Sequence, residues 1–383
     1  MNPIATNINY LPATSDSSIV LTNSYSGSLH QALIEAAIAA PSADNNQPWK
    51  FKSGENWIAV YWDLSKKLPS DVDGMFDLMA LGAAIENIVV KLQSLGYKAE
   101  LQLAEINCKD LKNNPTQLRQ IATITFGKQD AENNVQEKLA DYIAARQTTR
   151  DAYSTKPIPQ DQLQEITTAS VQHDDVKLCW MTDRGKINSL ASLVALSDSL
   201  RFRYRDFHEE LHRQLRLSTA HAEQTRDGLD YRTLGLPLGG RTVLSLIRSW
   251  KTMSLLSRFG MASLMAAPSK RLVRNSGAIG LIYLDTNTPH TMIRGGQTMQ
   301  RMWLHATQLG LSVHPLGSLP VFLANNNLPT ELLPIVKQIR TNAQQVLPPS
   351  RSLLQMAFRI GIPKKQVPSF PRSLRYKPQD VTL

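Results

Sequence analysis

Two stretches of this chain share a length and a pair of glycine ends, and they constrain the fold more than any other feature. Residues 82–96 and 296–310 both read as amphipathic helices, and each ends with a Leu-Gly pair. They lie about two hundred residues apart, and a strand-like run follows each of them. Two unrelated helices with shared glycine caps are the simpler alternative. The matching length, endings and following strands favour an internal repeat.

A polar loop follows the first predicted helix, residues 29–40. It reads Pro-Ser-Ala-Asp-Asn-Asn-Gln-Pro-Trp over residues 41–49, and a strand start comes next. Proline ends the helix, and short hydroxyl and amide side chains then cluster at one place. Such a turn can grip a flat heteroaromatic ring, although a plain helix-to-strand loop is the alternative. The residues expected to make these contacts are Pro41, Ser42, Asn45 and Gln47.

A basic stretch about a hundred residues later carries arginines and a hydroxyl at alternate positions. Arg146, Thr148 and Arg150 belong to the run Arg-Gln-Thr-Thr-Arg, and Lys-Pro-Ile-Pro follows at 156–159. Guanidinium groups bind phosphate oxygens through paired, charge-assisted hydrogen bonds, so this pattern suits a phosphate. A solvated basic helix end is the alternative.

These motifs together resemble the FMN-dependent nitroreductase family, but in an unusual order. Family members carry the arginine stretch ahead of the ring-contacting loop, whereas residues 24–30 of this chain contain no arginine. The corresponding loop after the later helix, residues 167–173, lacks the Pro-Trp ending. The resemblance therefore implies an α+β, nitroreductase-like fold in which two family-like halves form one intertwined pseudo-dimer. It also implies one complete flavin site and one ruined site.

The expected organisation follows from that resemblance. Residues 1–27 are a loose N-terminal arm, residues 28–135 the first half with the ring-gripping loop, and residues 136–383 the second half with the phosphate arginines. The second half contains a basic helical insertion at about 201–274. In this family, extra helices at that position cover the flavin, so a lid is the preferred interpretation.

Two further segments resemble flavin-site elements of the family. Residues 311–318 match the turn whose backbone approaches the reactive flavin nitrogen, although the acidic residue common there is absent. Residues 371–375 resemble a basic tail that closes on the flavin phosphate, and a solvated tail is an equally ordinary explanation. The residues implied are Pro315, Leu316, Gly317, Arg372 and Arg375.

The resemblance assigns a role to each group of residues. Arg146, Thr148 and the tail arginines would bind the phosphate. Arg150 would lie by the pyrimidine edge, where a cation stabilises reduced, anionic flavin. The loop side chains would contact the ring from the first half. No residue stands out as a catalytic acid or base, and the cysteines and histidines show no metal-ligand spacing.

The local patterns also predict secondary structure. Helices are expected at 29–40, 78–95, 135–145, 160–168, 187–207 and 298–309. Strands are expected at 57–61, 101–105, 121–126, 176–181, 278–284 and 354–360.

The positive charge of the chain is unevenly placed. The formal net charge is +10, and no acidic residue occurs between Asp230 and Asp285. Basic and apolar residues alternate through this span, which suits an anionic membrane surface, an anionic ligand, or helices that pack over the core. A lid is preferred; a membrane surface is an alternative that the sequence does not favour, and nucleic acid is not expected.

The function expected from the resemblance is an FMN-dependent oxidoreductase. NADPH or NADH would reduce the flavin, which would then reduce a nitroaromatic, a quinone or a similar conjugated acceptor. The alternatives are a flavin-binding protein without turnover and a tailoring dehydrogenase or oxidase. The chain is expected to act in the cytoplasm as a monomeric pseudo-dimer on a small-molecule substrate, with further oligomerisation left open.

Overall fold

The computed structural model describes residues 27–106, 117–129, 138–349, 352–365 and 371–383. The expected arm over residues 1–27 lies almost wholly outside the described residues. The helices are α1 (Gly27–Ile38), α2 (Met75–Ser94), α3 (Gln160–Ser170), α4 (Arg184–Arg203), α5 (Arg205–Gln214), α6 (Thr219–Thr225), α7 (Gly240–Leu246), α8 (Trp250–Ser257), α9 (Met261–Arg274), α10 (Pro289–Gln308), α11 (Ser318–Ala324), α12 (Leu333–Val346) and α13 (Pro378–Val381). The strands are β1 (Trp49–Gly54), β2 (Trp57–Asp63), β3 (Tyr97–Leu103), β4 (Leu118–Lys128), β5 (Val176–Met181), β6 (Leu215–Arg216), β7 (Leu229–Asp230), β8 (Ala278–Leu284), β9 (Ser312–Pro315) and β10 (Leu353–Gly361).

Two four-stranded antiparallel sheets form the framework, so the fold is α+β as expected. The first sheet has the order β1-β2-β4-β3 and the second has the order β5-β8-β10-β9. When the strands of each sheet are numbered along the chain, the two orders are the same. The helices also occur at the same places along the chain. One helix precedes the first strand of each sheet (α1 and α3), and one long helix lies between the second and third strands (α2 and α10).

The long helices α2 and α10 pack against each other at the centre of the molecule. Both helices have 20 residues. Each begins seven residues before the glycine that opens the sequence repeat, which is Gly82 in α2 and Gly296 in α10. A Cβ atom on Gly82 would lie 2.0 Å from the carbonyl oxygen of Ile293, and one on Gly296 would lie 2.1 Å from that of Met79. Glycine is therefore required at both positions because the two backbones touch there.

Buried polar pairs flank this crossing in the same reciprocal way. The Glu86 carboxylate accepts a hydrogen bond from Arg301 at 2.5 Å, and the Asn87 side chain accepts one from Gln300 at 2.7 Å. Glu86 and Gln300 each follow their helix glycine by four residues, and Asn87 and Arg301 by five. The two contacts thus join equivalent positions in opposite directions. All four side chains are buried, where unpaired polar groups would be costly.

The apolar core is divided among several clusters. The largest joins both sheets with α1, α2, α3 and α10, and it includes the fully buried rings of Trp49, Trp62 and Trp303. A second cluster lies where α4, α11 and α12 cover the other face of the second sheet. A third belongs to the insertion alone, between α4, α5 and the helices α7 to α9. The insertion therefore has its own small core.

The C-terminal tail returns to the first sheet. Thr382 forms a parallel bridge with Phe51, and the amide of Leu383 donates to the Phe51 carbonyl at 2.8 Å. The Lys50 ammonium group also donates to the carbonyl oxygen of Asp380, at 2.6 Å. The last residues of the chain thus lie on β1, beside the polar loop, although the sequence expectation assigned them to the second half.

Two helix predictions were wrong. Of the helix predicted at 135–145, residues 135–137 lie outside the described residues, Lys138–Tyr142 form a 3₁₀ turn, and the next three residues are not helical. The carbonyls of Ala144 and Ala145 accept hydrogen bonds from Arg372, so they are not used by a continuing helix. The helix predicted at 187–207 breaks at Tyr204, whose backbone is extended. No helix among the described residues is long and apolar enough to cross a membrane.

Candidate functional site

The loop from Pro41 to Pro48 has an unusual backbone. Asp44, Asn45 and Gln47 have φ angles of 46°, 58° and 50°, which place three non-glycine residues in the left-handed region. Each such residue costs free energy, of order 1 kcal/mol or more, unless the surroundings hold it. Asparagine and aspartate tolerate this conformation better than glutamine does. The conformation of Gln47 therefore depends most on contacts from outside the loop.

Those contacts come from the C-terminal tail and the insertion. Gln47 donates through Nε2 to the carbonyl of Arg226 at 2.8 Å and accepts from the amide of Tyr376 at 2.9 Å. Asn45 donates to the Leu374 carbonyl and accepts from Arg375 at 2.7 Å. Within the loop, the Ser42 hydroxyl accepts a hydrogen bond from the backbone N–H of Gln47 at 3.0 Å. The predicted loop side chains are thus held in place by two remote segments.

The loop is bonded to a buried carboxylate at the start of α2. Asp77 accepts hydrogen bonds from Asn46 at 2.7 Å and from the indole of Trp62 at 2.9 Å. Burial raises the pKa of Asp77 to about 6, despite these hydrogen bonds. Burial and the nearby Asp77 also raise the pKa of Asp71, which accepts from two backbone amides at the start of α2.

Three arginines from two distant parts of the sequence meet near the start of the loop. Arg146 donates to the Ala39 carbonyl at 2.9 Å and stacks over the Trp303 ring, with its guanidinium carbon 4.5 Å from the ring centre. Arg375 donates to the next carbonyl, that of Ala40, at 3.1 Å. Arg372 donates to the carbonyls of residues 144 and 145, just before Arg146. We call these three residues the arginine cluster.

The part of the chain that the structure describes places no protein anion against the arginine cluster. Among the described residues, no carboxylate lies within ion-pair distance of Arg146, Arg372 or Arg375. Burial, followed by the charges of Arg375 and Arg372, holds the pKa of Arg146 well below its usual value. Burial and the Arg372 charge likewise lower the pKa of Arg375 to about 10. The charge of Arg372 thus disfavours the protonated forms of Arg146 and Arg375, and the charge of Arg375 disfavours that of Arg146.

Some donors of this cluster are buried and have no hydrogen-bond partner among the described residues. They are Nε and Nη1 of Arg146 and Nε of Arg375. A buried donor that loses water without gaining an acceptor costs about 1–3 kcal/mol, and more when it is charged. A phosphate group has the charge and the acceptor oxygens that these guanidinium groups lack. The residues present therefore fit the phosphate of a flavin mononucleotide.

The other residues predicted for the site lie along β9. Thr148 forms a backbone bridge with Val313, and the next amide donates to the Val313 carbonyl at 3.1 Å. The Leu316 amide donates to the Ala357 carbonyl at 2.7 Å, which anchors the turn Pro315–Gly317 on β10. A Cβ atom on Gly317 would lie 3.8 Å from the Phe76 ring, so this turn faces the start of α2.

Arg150 does not join the arginine cluster. Its guanidinium donates to the carbonyl of Thr233, in the insertion, at 2.9 Å. Burial lowers its pKa, and the nearby charge of Asp44 opposes that effect. The structure therefore brings Arg146, Arg372 and Arg375 together at the loop and places Arg150 under the insertion.

Several residues of this region were missed in the sequence. Asp44 forms a 2.7 Å ion pair with Arg201, and Arg226 donates to the Arg375 carbonyl at 2.6 Å. Neither contact has a local sequence signal. Arg359 is different, because it is a lone charge in the buried strand β10 and could have been noticed. It stacks on Tyr153 and donates to His314 at 3.0 Å, and burial followed by the Arg359 charge holds the pKa of His314 well below its usual value.

This α+β chain belongs to the nitroreductase family. The family model described as "Nitroreductase family" matches residues 143–335, half of the chain. The match includes the stretch from Arg146 to Arg150 and the turn Pro315–Gly317. It does not include the loop at Pro41 or the tail arginines.

Related proteins are known from Mycobacterium tuberculosis (strain CDC 1551 / Oshkosh). "Uncharacterized protein MT1398" is 26% identical over 294 residues, which are 76% of this chain and 39% of that protein. "Putative NAD(P)H nitroreductase acg" is 26% identical over 185 residues, 47% of this chain and 52% of that protein. The chain thus spans about half or less of the length of these relatives.

Among solved structures, the FMN-dependent nitroreductase NfnB from Mycobacterium smegmatis, in complex with NADPH, is similar to this chain. It has 14% sequence identity and a TM-score of 0.37, with 64% of this chain and 97% of that chain covered. The oxidized iodotyrosine deiodinase bound to FMN and 3-iodo-L-tyrosine has 12% identity and a TM-score of 0.33, with 61% and 94% covered.

Proposed function

We propose that this protein is an FMN-dependent oxidoreductase in which two nitroreductase-like halves are fused and share one flavin site. The reciprocal crossing of α2 and α10 and the equal strand orders of the two sheets support the two-half arrangement. Membership in the nitroreductase family supports the class of reaction. A nicotinamide donor agrees with the name of the M. tuberculosis relative, a putative NAD(P)H nitroreductase.

The observation that carries the proposal is the arginine cluster. Two of its three arginines, Arg146 and Arg375, have buried donors without a partner among the described residues. The cluster lies beside a loop of hydroxyl and amide residues, and the described part of the chain offers its arginines no carboxylate. Repulsion between buried, unpaired cations destabilises the folded protein, and a bound ligand anion would offset that cost. The cluster and loop would hold the phosphate and the ring of FMN, respectively, with the turn Pro315–Gly317 near the ring's reactive edge.

Bound FMN would supply the redox chemistry, taking hydride from a nicotinamide and passing electrons to a conjugated acceptor. The protein's own part would be to bind and orient. Arg146, Arg372 and Arg375 would offset the phosphate charge, while Asn45 and Gln47 would fix the loop through the tail. Arg150, close to Asp44 and His314, would add positive charge beside the ring. The acceptor would be a nitroaromatic, a quinone or a related compound.

The first test is the flavin content of the purified protein. One arginine cluster per chain predicts about one FMN released per chain after loading, read from the absorption spectrum and chromatography. A ratio near two would contradict the single site, and no retained FMN would contradict the cofactor. Oxidation of NADPH or NADH with menadione as acceptor then measures turnover.

A flavin-binding protein without turnover is a second candidate, because part of the insertion is bonded to the loop, the tail and Arg150 and would cover a flavin held there. The described hydrogen bonds and ion pairs that join the insertion to the loop, to the tail or to Arg150 all come from residues between Arg201 and Thr233. Residues 237–274 instead pack on α4 and α5. The covering part, residues 201–233, is here called the cover.

Loosening the cover separates the two candidates. The double variant Arg201→Ala with Arg226→Ala removes the Asp44 ion pair and the contact with the Arg375 carbonyl. Arg203→Ala is the matched control, because the described contact of the Arg203 side chain is with Ser263, within the insertion. Hydride transfer needs reacting atoms about 3–3.5 Å apart. If the cover blocks the donor, anaerobic stopped flow will show faster reduction by NADPH in the double variant only. Fast reduction of the unmodified protein would exclude the non-catalytic candidate.

A further inference from the structure

We propose that the outer face of residues 237–274 is a docking surface for an anionic phospholipid membrane. The proposal does not depend on flavin binding, because it concerns the part of the insertion that makes no described hydrogen bond or ion pair with the loop, the tail or Arg150. We call residues 237–274 the basic face. It consists of α7, α8, α9 and the turns between them.

Large apolar side chains project from the basic face into solvent. Eleven large apolar residues are exposed among the described residues, and six of them fall between positions 238 and 264. Leu238 and Phe259 are more than four-fifths exposed, and Leu246 and Leu264 about two-thirds. The other two are Val243 and Leu255. Scattered exposed apolar residues are ordinary, but such a concentration in one short segment marks an interaction surface.

The same helices already have a buried apolar side, so these residues are not displaced core. Leu244, Ile247, Met253 and Ala262 fill the small core against α4 and α5. Each helix therefore carries apolar residues on two sides, one buried and one exposed. At the turns, a Cβ atom on Gly239 or Gly260 would meet no atom within 4 Å, so Leu238 and Phe259 stand next to open, projecting turns.

The charge of the basic face selects the partner. No Asp or Glu occurs between Asp230 and Asp285. Among the described residues, none of the basic side chains from 241 to 274 is within ion-pair distance of a carboxylate. The exposed cations are Arg241, Arg248, Lys251, Arg258, Arg271 and Arg274. Each Lys or Arg near an anionic bilayer adds about 1 kcal/mol of attraction.

Other occupants fit these side chains less well. A second copy would bring the same cations against each other, which is unfavourable. Nucleic acid is bound by cations with polar or stacking readers, whereas the exposed residues here are mostly aliphatic. Aliphatic side chains among basic ones are what an interfacial helix presents to lipid, with the apolar groups in the acyl boundary and the cations at the headgroups.

The test is sedimentation of the full-length protein with phospholipid vesicles. We expect binding to vesicles with about one-third phosphatidylglycerol at about 0.1 M salt, and little binding to phosphatidylcholine alone. Raising the salt to about 1 M shortens the screening length from about 10 Å to about 3 Å and should release most of the protein. No binding to the anionic vesicles at low salt would overturn the proposal.

Variants with equal charge change locate the surface. Arg248→Glu, Lys251→Glu and Arg258→Glu together should weaken vesicle binding by roughly a hundredfold or more. Lys156→Glu, Lys186→Glu and Lys337→Glu together change the charge equally at exposed positions elsewhere and should have a much smaller effect. Equal losses of vesicle binding in the two triple variants would show that binding depends on net charge alone, and they would overturn the proposal.

The apolar side chains have their own control. Leu246→Ser with Phe259→Ser should weaken binding at least tenfold, whereas Leu333→Ser with Ile362→Ser, at exposed apolar positions elsewhere, should not. Unchanged binding in the first pair would contradict insertion into lipid. If that pair instead abolishes self-association measured by sedimentation velocity, and vesicles are not bound, the occupant is a second copy and the proposal fails.

Discussion

The ends of α1 and α3 occupy equivalent places before the first strands of the two sheets, yet their charges are arranged in opposite ways. After α1, the carbonyls of Ala39 and Ala40 receive Arg146 and Arg375, and no described carboxylate balances those cations. After α3, Arg294 forms a 2.7 Å ion pair with Asp175, and His173 lies beside both. The first end carries excess positive charge, and the second is neutralised by its own residues.

If the proposed two-half arrangement with a single flavin site is right, this difference accounts for the position of that site. A cluster that is incomplete without an anion binds an anion well, because binding offsets both repulsion and unsatisfied donors. A cluster that already contains its counter-ion gains little from a ligand. The same contrast separates a strained loop held by remote segments at Pro41–Pro48 from the short turn that follows α3.

Among the substitutions that test this comparison, the removal of Arg146 should have the largest effect, and that effect should be on FMN binding. We expect Arg146→Ala to weaken FMN binding by about 2–5 kcal/mol, a loss of roughly thirtyfold or more, because a buried charge contact disappears. The stability of the apo protein should change little. The lost stacking on Trp303 and the lost hydrogen bond are offset by the removal of a buried, poorly satisfied cation. Flavin titration by fluorescence and urea unfolding of the apo form measure the two effects.

Arg294→Ala is the control at the equivalent end. Because Arg294 is already paired with Asp175, its removal should leave FMN affinity within about twofold of the unmodified protein. If Arg294→Ala weakens FMN binding as much as Arg146→Ala does, the two ends are functionally alike and the contrast is wrong.

Local sequence patterns predicted the framework better than the site. Two strands, Val176–Met181 and Ala278–Leu284, were predicted with the bounds that the structure shows, because each is a short apolar run with clear breaks. The break at Tyr204 was not predictable, since the apolar pattern continues across it. The end of the helix predicted at 135–145 was missed because the carbonyls of Ala144 and Ala145, just after the 3₁₀ turn, bond to Arg372, more than two hundred residues away.

The residues of the candidate flavin site were also only partly predictable from the sequence. Family resemblance pointed to the loop and to five arginine or threonine positions, and three of those arginines do meet at the loop. It could not show that Gln47 is held by Arg226 and Tyr376, or that Asp44 pairs with Arg201, because those partners are set by tertiary packing alone. Which of these residues contact flavin stays a prediction.

Substitutions at the crossing of α2 and α10 test the part of the molecule in which the two proposed halves are alike. Gly82→Ala and Gly296→Ala each place a Cβ atom about 2 Å from a backbone carbonyl oxygen, so both should destabilise the protein by similar amounts, about 3 kcal/mol or somewhat less. Gly127→Ala is the control, because its Cβ would meet no atom within 4 Å. Urea unfolding measures all three. Clearly unequal effects of Gly82→Ala and Gly296→Ala would show that the crossing is not equivalent from its two sides.

The smallest expected effect is a pH response that differs between the two ends. Burial, followed by the Arg294 charge, lowers the pKa of His173 to about 4. Because the folded state favours the neutral imidazole, its stabilising contribution is complete above pH about 6.5 and is lost as the pH falls toward 4, by about 2 kcal/mol at most between pH 7 and 5. Asp77, below the Pro41 loop, responds in the opposite direction, since its raised pKa favours the folded state at low pH and that contribution is lost as the pH rises through about 6.

The variant His173→Gln isolates the response at the α3 end. We expect it to reduce the loss of stability between pH 7 and pH 5 relative to the unmodified protein, because Gln does not titrate in that range. His221→Gln, at an exposed position in α6, should leave the pH dependence as it was. Arg294→Ala should also reduce the loss, because removing the nearby cation makes protonation of His173 easier in the folded state. If urea unfolding shows the same pH dependence in His173→Gln as in the unmodified protein, the acid sensitivity does not originate at the end of α3.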